Sequence, residues 1–228
     1  MEQPKLILFD AVGTLFGIRG SVGEVYRAIA LPFGVDVPGD TLHEAFVATF
    51  KDLPYPTFAD TTAEGIQQQE YTWWEMIARS TFERVGVYEQ FTDFATYFQE
   101  LFDYFATDQP WYLYEDVLPA LEHWHSKGIE LGIVSNFDSR LEKVLDALNL
   151  SEFFSSVTLP GKALAAKPEA KIFQAALAQH ECDSSQAWHI GDSIKEDYLG
   201  ARAAGIRSFL IERSPSATKT TNLTQSEE

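Results

Sequence analysis

Short hydrophobic runs alternate with amphipathic segments over much of the chain. The first run, Leu6-Ile7-Leu8-Phe9, is uninterrupted, which is typical of a strand buried on both faces of a parallel sheet. Further strand-like runs lie at 129–134, 156–159, 187–190 and 207–211. Amphipathic segments of helical length lie between them, at 117–127, 141–148, 168–180 and 197–204. This alternation predicts an α/β fold with a doubly wound, mostly parallel, Rossmann-like sheet.

Residues 18–106 break this alternation. They contain no convincing strand, and their hydrophobic residues recur at helical spacing. The widest such stripe is formed by Phe94, Tyr97, Phe98, Leu101, Phe102 and Phe105. We therefore predict an inserted helical cap at 18–106, packed over the strand ends of a core formed by residues 1–17 and 107–214. The polar residues 215–228 are predicted to form a flexible tail.

Bulk composition narrows the kind of protein. The formal net charge of −17 argues against a nucleic-acid partner, because phosphate backbones are bound by clusters of lysine and arginine. No hydrophobic run has the length of a membrane span, and we expect no signal peptide at the N-terminus. The single cysteine, Cys182, suits a reducing compartment. We expect a cytoplasmic protein with a small-molecule partner and no membrane partner, either a monomer or a homodimer.

Polar residues directly follow three of the predicted strands. Asp10 follows the first strand, Ser135 and Asn136 follow the second, and Asp192 lies at the end of the fourth. In open α/β sheets, ligands bind beyond the carboxyl ends of the strands, so we expect these side chains in one crevice. Lys167 lies in the loop after another strand and is expected to join them.

This set of side chains indicates chemistry on a phosphate group. Two carboxylates at close range raise each other's pKa unless a cation lies with them, and Mg²⁺ prefers oxygen ligands of this kind. A carboxylate can also attack phosphorus and form an aspartyl-phosphate. Asp10 would then be the nucleophile, and Lys167 would neutralise charge on the transferring group. Ser135 and Asn136 would donate hydrogen bonds to its oxygens.

Four short motifs together resemble the haloacid dehalogenase-like hydrolase superfamily over nearly the whole chain. The motifs are Asp10-Ala11-Val12-Gly13-Thr14-Leu15, Val134-Ser135-Asn136, Lys167-Pro168, and Gly191-Asp192-Ser193 with Asp197. Each motif is weak by itself, and the resemblance depends on their order and spacing at successive strand ends. It implies a helical cap after the first motif. It also implies a Mg²⁺ site formed by Asp10, the backbone carbonyl of Val12, Asp192 and Asp197.

Three of the remaining candidates each have two interpretations. Thr14 either caps a helix or orients the catalytic loop at the substrate site. Arg19 lies at the predicted entry to the cap, where it would meet an anionic substrate, and the alternative is a surface arginine in a linker. Asp197 either interacts with a helix dipole or holds metal-bound waters and Lys167.

Val12 departs from the phosphatases of this superfamily, which usually carry an aspartate at this position. That aspartate protonates the leaving oxygen and then activates water, and losing such a group typically costs about 10²- to 10⁴-fold in rate. The segment 9–16 resembles more closely the 2-haloacid dehalogenases, which also lack the second acid and use no metal. Asp192 nevertheless favours Mg²⁺ and phosphate, because without a metal its charge would oppose ionised Asp10.

We therefore predict a hydrolase, most simply a Mg²⁺-dependent phosphatase that acts on a small phosphorylated metabolite through an aspartyl-phosphate on Asp10. Without an acid at Val12 its activity is expected to be weak. The alternatives are a 2-haloacid dehalogenase and a weakly active or non-catalytic ligand-binding relative.

Overall fold

A computed structural model describes residues 3–53, 55–56 and 58–213. Within these residues the central sheet has five strands. In chain order, the strands of the protein are β1 (Leu6–Phe9), β2 (Phe16–Ile18), β3 (Trp111–Leu113), β4 (Glu130–Val134), β5 (Ser156–Thr158), β6 (Ala187–Gly191) and β7 (Arg207–Leu210). Five of them are parallel, in the order β5-β4-β1-β6-β7. The sheet thus extends outward from β1 in both directions, which confirms the predicted doubly wound α/β fold.

Helices cover both faces of this sheet, as the hydrophobic pattern of β1 requires. Ile7 and Phe9 pack into one buried cluster with residues of the helices after β3 and β4, whereas Leu6 and Leu8 pack into a second cluster with the helix after β5. Successive side chains of a strand point to opposite faces, so a fully apolar strand needs cover on both sides. Each such side chain contributes about 1.5–3 kcal/mol when fully buried.

The helices of the protein lie in two groups. Those in the part of the chain that β2 and β3 enclose are α1 (Val22–Ala30), α2 (Gly39–Asp52), α3 (Ala63–Arg84) and α4 (Phe94–Tyr104). Those that follow β3 are α5 (Val117–Ser126), α6 (Leu141–Ala147), α7 (Pro160–Ala163), α8 (Ala170–Gln179) and α9 (Gly200–Ala203), and a π-helix, Ile194–Leu199, runs directly into α9.

The first group forms a helical insertion, which we define as residues 19–110. It has its own hydrophobic cluster, in which Tyr26, Phe82 and Tyr97 are buried. β2 and β3 pair in antiparallel fashion at its base, with Ile18 opposite Trp111. The sequence analysis missed these two strands, because three residues are too few to establish a periodic pattern.

The predicted polar tail, 215–228, lies outside the described residues. Within the described part of the chain, none of the helices combines the length and the apolar character that a membrane crossing demands.

Candidate active site

Asp10 lies at the carboxyl end of β1, the central strand of the sheet, with 6% of its surface exposed. Its Oδ1 atom accepts a hydrogen bond from the Nζ atom of Lys167 at 2.6 Å. Its Oδ2 atom accepts a longer hydrogen bond, 3.4 Å, from the hydroxyl of Thr14. One carboxylate oxygen is therefore held by an ammonium group, and the other is left more weakly bonded.

Lys167 joins two carboxylates. Its buried Nζ atom also donates to Oδ1 of Asp197 at 2.6 Å. Burial alone would lower the pKa of the Lys167 ammonium, but the charges of Asp10 and Asp197 outweigh burial, and the pKa lies above its ordinary value. The lysine is therefore a permanent positive charge beside Asp10.

Asp197 reaches Lys167 because the chain forms a π-helix after β6, where the sequence pattern predicted an ordinary α-helix over 197–204. The amide of Tyr198 donates to the carbonyl of Ser193 five residues earlier, and the Ser193 amide donates to Oδ2 of Asp197. Short π-helical segments are frequent at functional sites. Here the wider turn directs the Asp197 carboxylate back toward the sheet.

His189 supports Asp197 from beneath. Its Nε2 atom lies 2.9 Å from Oδ1 of Asp197, and burial lowers the pKa of the imidazole. A neutral ring can donate from Nε2. The His189 hydrogen bond and the Lys167 charge overcome the effect of burial on Asp197 and hold the pKa of its carboxyl well below the usual range.

Asp192 follows β6 and completes a group of three acids. Each of these acids, Asp10, Asp192 and Asp197, offers one carboxylate oxygen, and the three oxygens lie within 4.8 Å of one another. Burial, followed by the charges of Asp10 and Asp197, raises the pKa of Asp192 to about 6. The ionised form of this carboxyl is thus disfavoured until a further cation arrives.

The space beside Asp192 is kept free by glycine. Gly13 has a φ of +86°, and a Cβ atom there would stand 2.4 Å from Oδ2 of Asp192. Only glycine tolerates both this backbone conformation and this approach. The three carboxylates form an all-oxygen donor set of the kind that Mg²⁺ prefers. Whether the carbonyl of Val12 joins them stays a prediction. These residues fit a divalent cation.

Asn136 positions the lysine loop. Its Nδ2 atom donates to the carbonyl of Lys167 at 2.9 Å, and its Oδ1 atom accepts from the Lys167 amide at 2.7 Å. Ser135 is buried beside it, and both residues line the same cavity as Asp10. The structure therefore brings together the predicted strand-end residues, and it gives Asn136 a structural task in addition to the predicted contact with substrate.

The remaining predicted residues differ in their placement. Val12 is 37% exposed and lines the cavity. Thr14 is buried beneath Asp10, which agrees with a role in orienting the catalytic loop. Arg19 is exposed and is not among the described residues that line the cavity, so its contact with substrate remains a prediction.

The cavity above Asp10 has a volume of about 390 Å³ and extends into the helical insertion. Sequence reasoning missed much of its lining, including Phe46, Phe50, Arg140 and Glu196. Glu196 lines the same cavity as Asp10, and its Oε2 atom is 3.4 Å from Nδ2 of Asn136. The aromatic stripe of α4 was the one available signal, because Phe98, Phe102 and Phe105 face this cavity.

Replacing Asp192 by asparagine is expected to raise the melting temperature of the metal-free protein. The raised pKa means that ionised Asp192 destabilises the folded state. This destabilisation is absent below about pH 4, grows as the pH rises and reaches its full size above about pH 6. Because the side chain is partly exposed, we expect a gain of only about 1–3 °C at pH 7.5. Thermal unfolding in EDTA at pH 7.5 and pH 4 measures it, with Glu44→Gln as an exposed control. Equal melting temperatures at pH 7.5 would contradict the proposed repulsion.

Comparison with known proteins places these features in context. The sequence family described as haloacid dehalogenase-like hydrolase matches residues 4–205. The haloacid dehalogenase-like hydrolase domain-containing protein 3 of Bos taurus is 32% identical over 211 residues, which cover 92% of this chain and 82% of that protein.

Two solved structures share the fold at low sequence identity. The magnesium-bound HAD-hydrolase YfnB from Bacillus subtilis is 16% identical with a TM-score of 0.67, covering 91% of this chain and 88% of that one. The 2-haloacid dehalogenase from Pseudomonas syringae is 21% identical with a TM-score of 0.64, covering 95% of this chain and 91% of that one. Since both resemble this chain to a similar degree, the fold does not decide between the chemistries.

Proposed function

Because the chain belongs to the haloacid dehalogenase-like hydrolases, we propose that it is a cytoplasmic, Mg²⁺-dependent phosphatase that cleaves a small phosphate ester through Asp10. One observation carries this proposal. Carboxylate oxygens of Asp10, Asp192 and Asp197 lie within 4.8 Å of one another, and among the described residues Lys167 alone supplies them with an ammonium group. A second cation would balance the charge, and an all-oxygen donor set favours Mg²⁺.

The first step is attack by a carboxylate oxygen of Asp10 on phosphorus. The bond from phosphorus to the ester oxygen breaks, and its electron pair leaves with that oxygen. Lys167 stabilises the charge near Asp10, and Asn136 holds the loop that carries Lys167. When bound between Asp10, the Val12 carbonyl and Asp192, Mg²⁺ would supply neutralising charge for the phosphate oxygens.

The second step regenerates the enzyme. Water attacks the phosphorus of the aspartyl-phosphate, which releases inorganic phosphate and returns Asp10 to its carboxylate form. Val12 lines the cavity where this family's phosphatases usually present an aspartate, and its side chain moves no proton. We therefore expect slow turnover, with hydrolysis of the aspartyl-phosphate as a slow step.

Val12 also favours a second candidate, a 2-haloacid dehalogenase, in which Asp10 would displace halide from carbon. A haloacid brings a carboxylate that needs its own cation. Arg140 lines the cavity, but both oxygens of Asp138 accept hydrogen bonds from its guanidinium, at 2.6 and 2.8 Å. Lys167 is shared between two acids. With no unpaired cation among the described cavity residues, phosphate chemistry is the better supported of the two.

The identity of the released product distinguishes the phosphatase from the dehalogenase. We expect inorganic phosphate from a panel of phosphate monoesters with Mg²⁺, background rates in EDTA, and recovery when Mg²⁺ is returned. Chloride release from 2-chloropropionate, independent of EDTA, would instead establish the dehalogenase. No turnover in either assay, with a ligand-induced rise in melting temperature, would indicate a binding protein.

A further inference from the structure

The helical insertion gives the cavity a largely apolar and aromatic wall. Its contributions to the described lining are Ile18 at its border and Val22, Tyr26, Phe46, Phe50, Trp74, Phe98, Leu101, Phe102 and Phe105. None of these side chains is charged, and only Tyr26 carries a hydroxyl. The charged lining residues come from the core instead. A cavity of about 390 Å³ lies within the size range of small-ligand sites, roughly 300–1,000 Å³.

Two polar groups at this wall, those of Trp74 and Arg140, are already engaged. The Nε1 atom of Trp74 donates to Oδ2 of Asp138 at 2.6 Å. Arg140 is fixed by Asp138 and by the carbonyl of Phe102, and its guanidinium lies 3.8 Å from the centre of the Phe102 ring. A substrate with several hydroxyl groups, or with a second anionic group, would leave them without partners in this space. The wall therefore favours an apolar substrate body.

Val12 adds an independent restriction on the leaving group. Without a proton donor two residues after the nucleophile, the ester oxygen departs as an anion unless another group protonates it. A phenol has a pKa of about 10, whereas water, with an acidity close to that of simple alcohols, has a pKa of about 15.7. A phenolate is thus the far better unprotonated leaving group.

We propose that the substrate is a phosphate monoester of a phenol, whose ring packs against the apolar wall that the helical insertion gives the cavity; this inference rests on the proposed phosphatase function. A bond forms between an oxygen of Asp10 and phosphorus as the aryl oxygen–phosphorus bond breaks. The electron pair leaves on the phenolate oxygen, which then takes a proton from water. A second water hydrolyses the aspartyl-phosphate.

Three phosphate esters separate the two parts of this proposal. Phenyl and benzyl phosphate share a ring but differ in leaving-group pKa, whereas benzyl and glycerol 3-phosphate share an alkoxide leaving group but differ in polarity. We expect KM to be about 10- to 100-fold lower for both ring compounds than for glycerol 3-phosphate, because ring burial is favourable. We expect kcat/KM, which reports the steps up to departure of the leaving group, to be at least about 100-fold higher for phenyl than for benzyl phosphate.

A matched pair of variants tests where the ring binds. Phe50 lines the cavity with 41% of its surface exposed, and Met76, 42% exposed, does not line it. Phe50→Gln is expected to raise KM for phenyl phosphate about 3- to 10-fold, with little change for glycerol 3-phosphate. Met76→Gln is expected to change neither value.

The outcomes distinguish failure of this inference from failure of the proposed function. Turnover of glycerol 3-phosphate with a kcat/KM equal to that of phenyl phosphate would overturn the inference and leave the phosphatase in place. Equal kcat/KM values for phenyl and benzyl phosphate would mean that another group, such as Glu196, protonates the leaving oxygen, which would overturn the leaving-group argument.

Absence of phosphate release from all three esters would overturn the proposed function. The apolar wall can then be tested by ligand affinity without turnover. Binding is followed by the fluorescence of Trp74 and Trp111, which both line the cavity. We expect benzylphosphonate to bind at least about 10-fold more tightly than 2-hydroxyethylphosphonate. Equal affinities would contradict an apolar binding site.

Discussion

Asp10→Asn is expected to lower phosphate release by at least about 10⁴-fold, because an amide is not a nucleophile and removal of a catalytic nucleophile can cost about 10⁶-fold. The substitution keeps the shape of the side chain. Lys167 retains its hydrogen bond to Asp197, so its buried charge stays paired. Phosphate release from phenyl phosphate with Mg²⁺ measures the effect, and circular dichroism verifies the fold.

The same substitution tests the intermediate. Wild-type protein mixed with phenyl phosphate and quenched in acid is expected to carry one phosphoryl group, because nothing at Val12 speeds its hydrolysis. The Asp10→Asn variant should carry none. Asp36→Asn serves as the control, since Asp36 is an exposed acid of the helical insertion, paired with Arg27. If the Asp10→Asn variant retained turnover within about tenfold of the wild type, Asp10 would not be the nucleophile, given the size of such effects in other enzymes.

Val12→Asp is expected to raise kcat/KM for benzyl phosphate by about 10²- to 10⁴-fold, the usual contribution of a positioned acid/base. The new carboxyl would lie beside Asp10 and Asp192, whose charges raise its pKa and keep part of it protonated near neutral pH. Val12 is 37% exposed, so the polar side chain does not have to be buried. The gain should be smaller for phenyl phosphate, since a phenolate leaves without a proton.

Val12→Asn is the matched control for this gain of activity. It has nearly the same size as aspartate and also removes the valine, but it transfers no proton, so its rates should equal those of the wild type. An equal gain in Val12→Asn and Val12→Asp would show that shape or polarity matters instead of proton transfer. A Val12→Asp variant that folds and binds Mg²⁺ without gaining activity would mean that another group already protonates the leaving oxygen.

The core strands and their terminal acids were predictable from the sequence. β1 was predicted with the observed bounds, and the other four strands of the parallel sheet agree to within one residue at each end. An uninterrupted apolar run leaves a buried strand as the simplest structure, and the residue after it lies at the carboxyl edge of the sheet. Asp10 and Asp192 follow two such neighbouring strands, so their meeting was also predictable.

The helical insertion was predictable as helical, but its role at the site was not. The stripe of α4 indicates that Phe98 and Phe102 face something apolar, and the same pattern describes an ordinary helix core. Asp138 pairs with its neighbour Arg140 and accepts a hydrogen bond from Trp74, which lies 64 residues away in the chain. The carbonyl of Phe102, which also holds this arginine, lies 38 residues away, and neither distant contact can be predicted from the local sequence.

The core strands, the acids at their ends and the absence of a proton-transferring side chain at Val12 can be predicted from the sequence, because each depends on residues adjacent in the chain. Three features become visible only in the folded chain: Lys167 bridges Asp10 and Asp197, Asp197 lies in a π-helix, and aromatic side chains enclose the space above Asp10. These features depend on distances between residues remote in sequence. Such distances arise only when the packed core and the helical insertion bring those residues together.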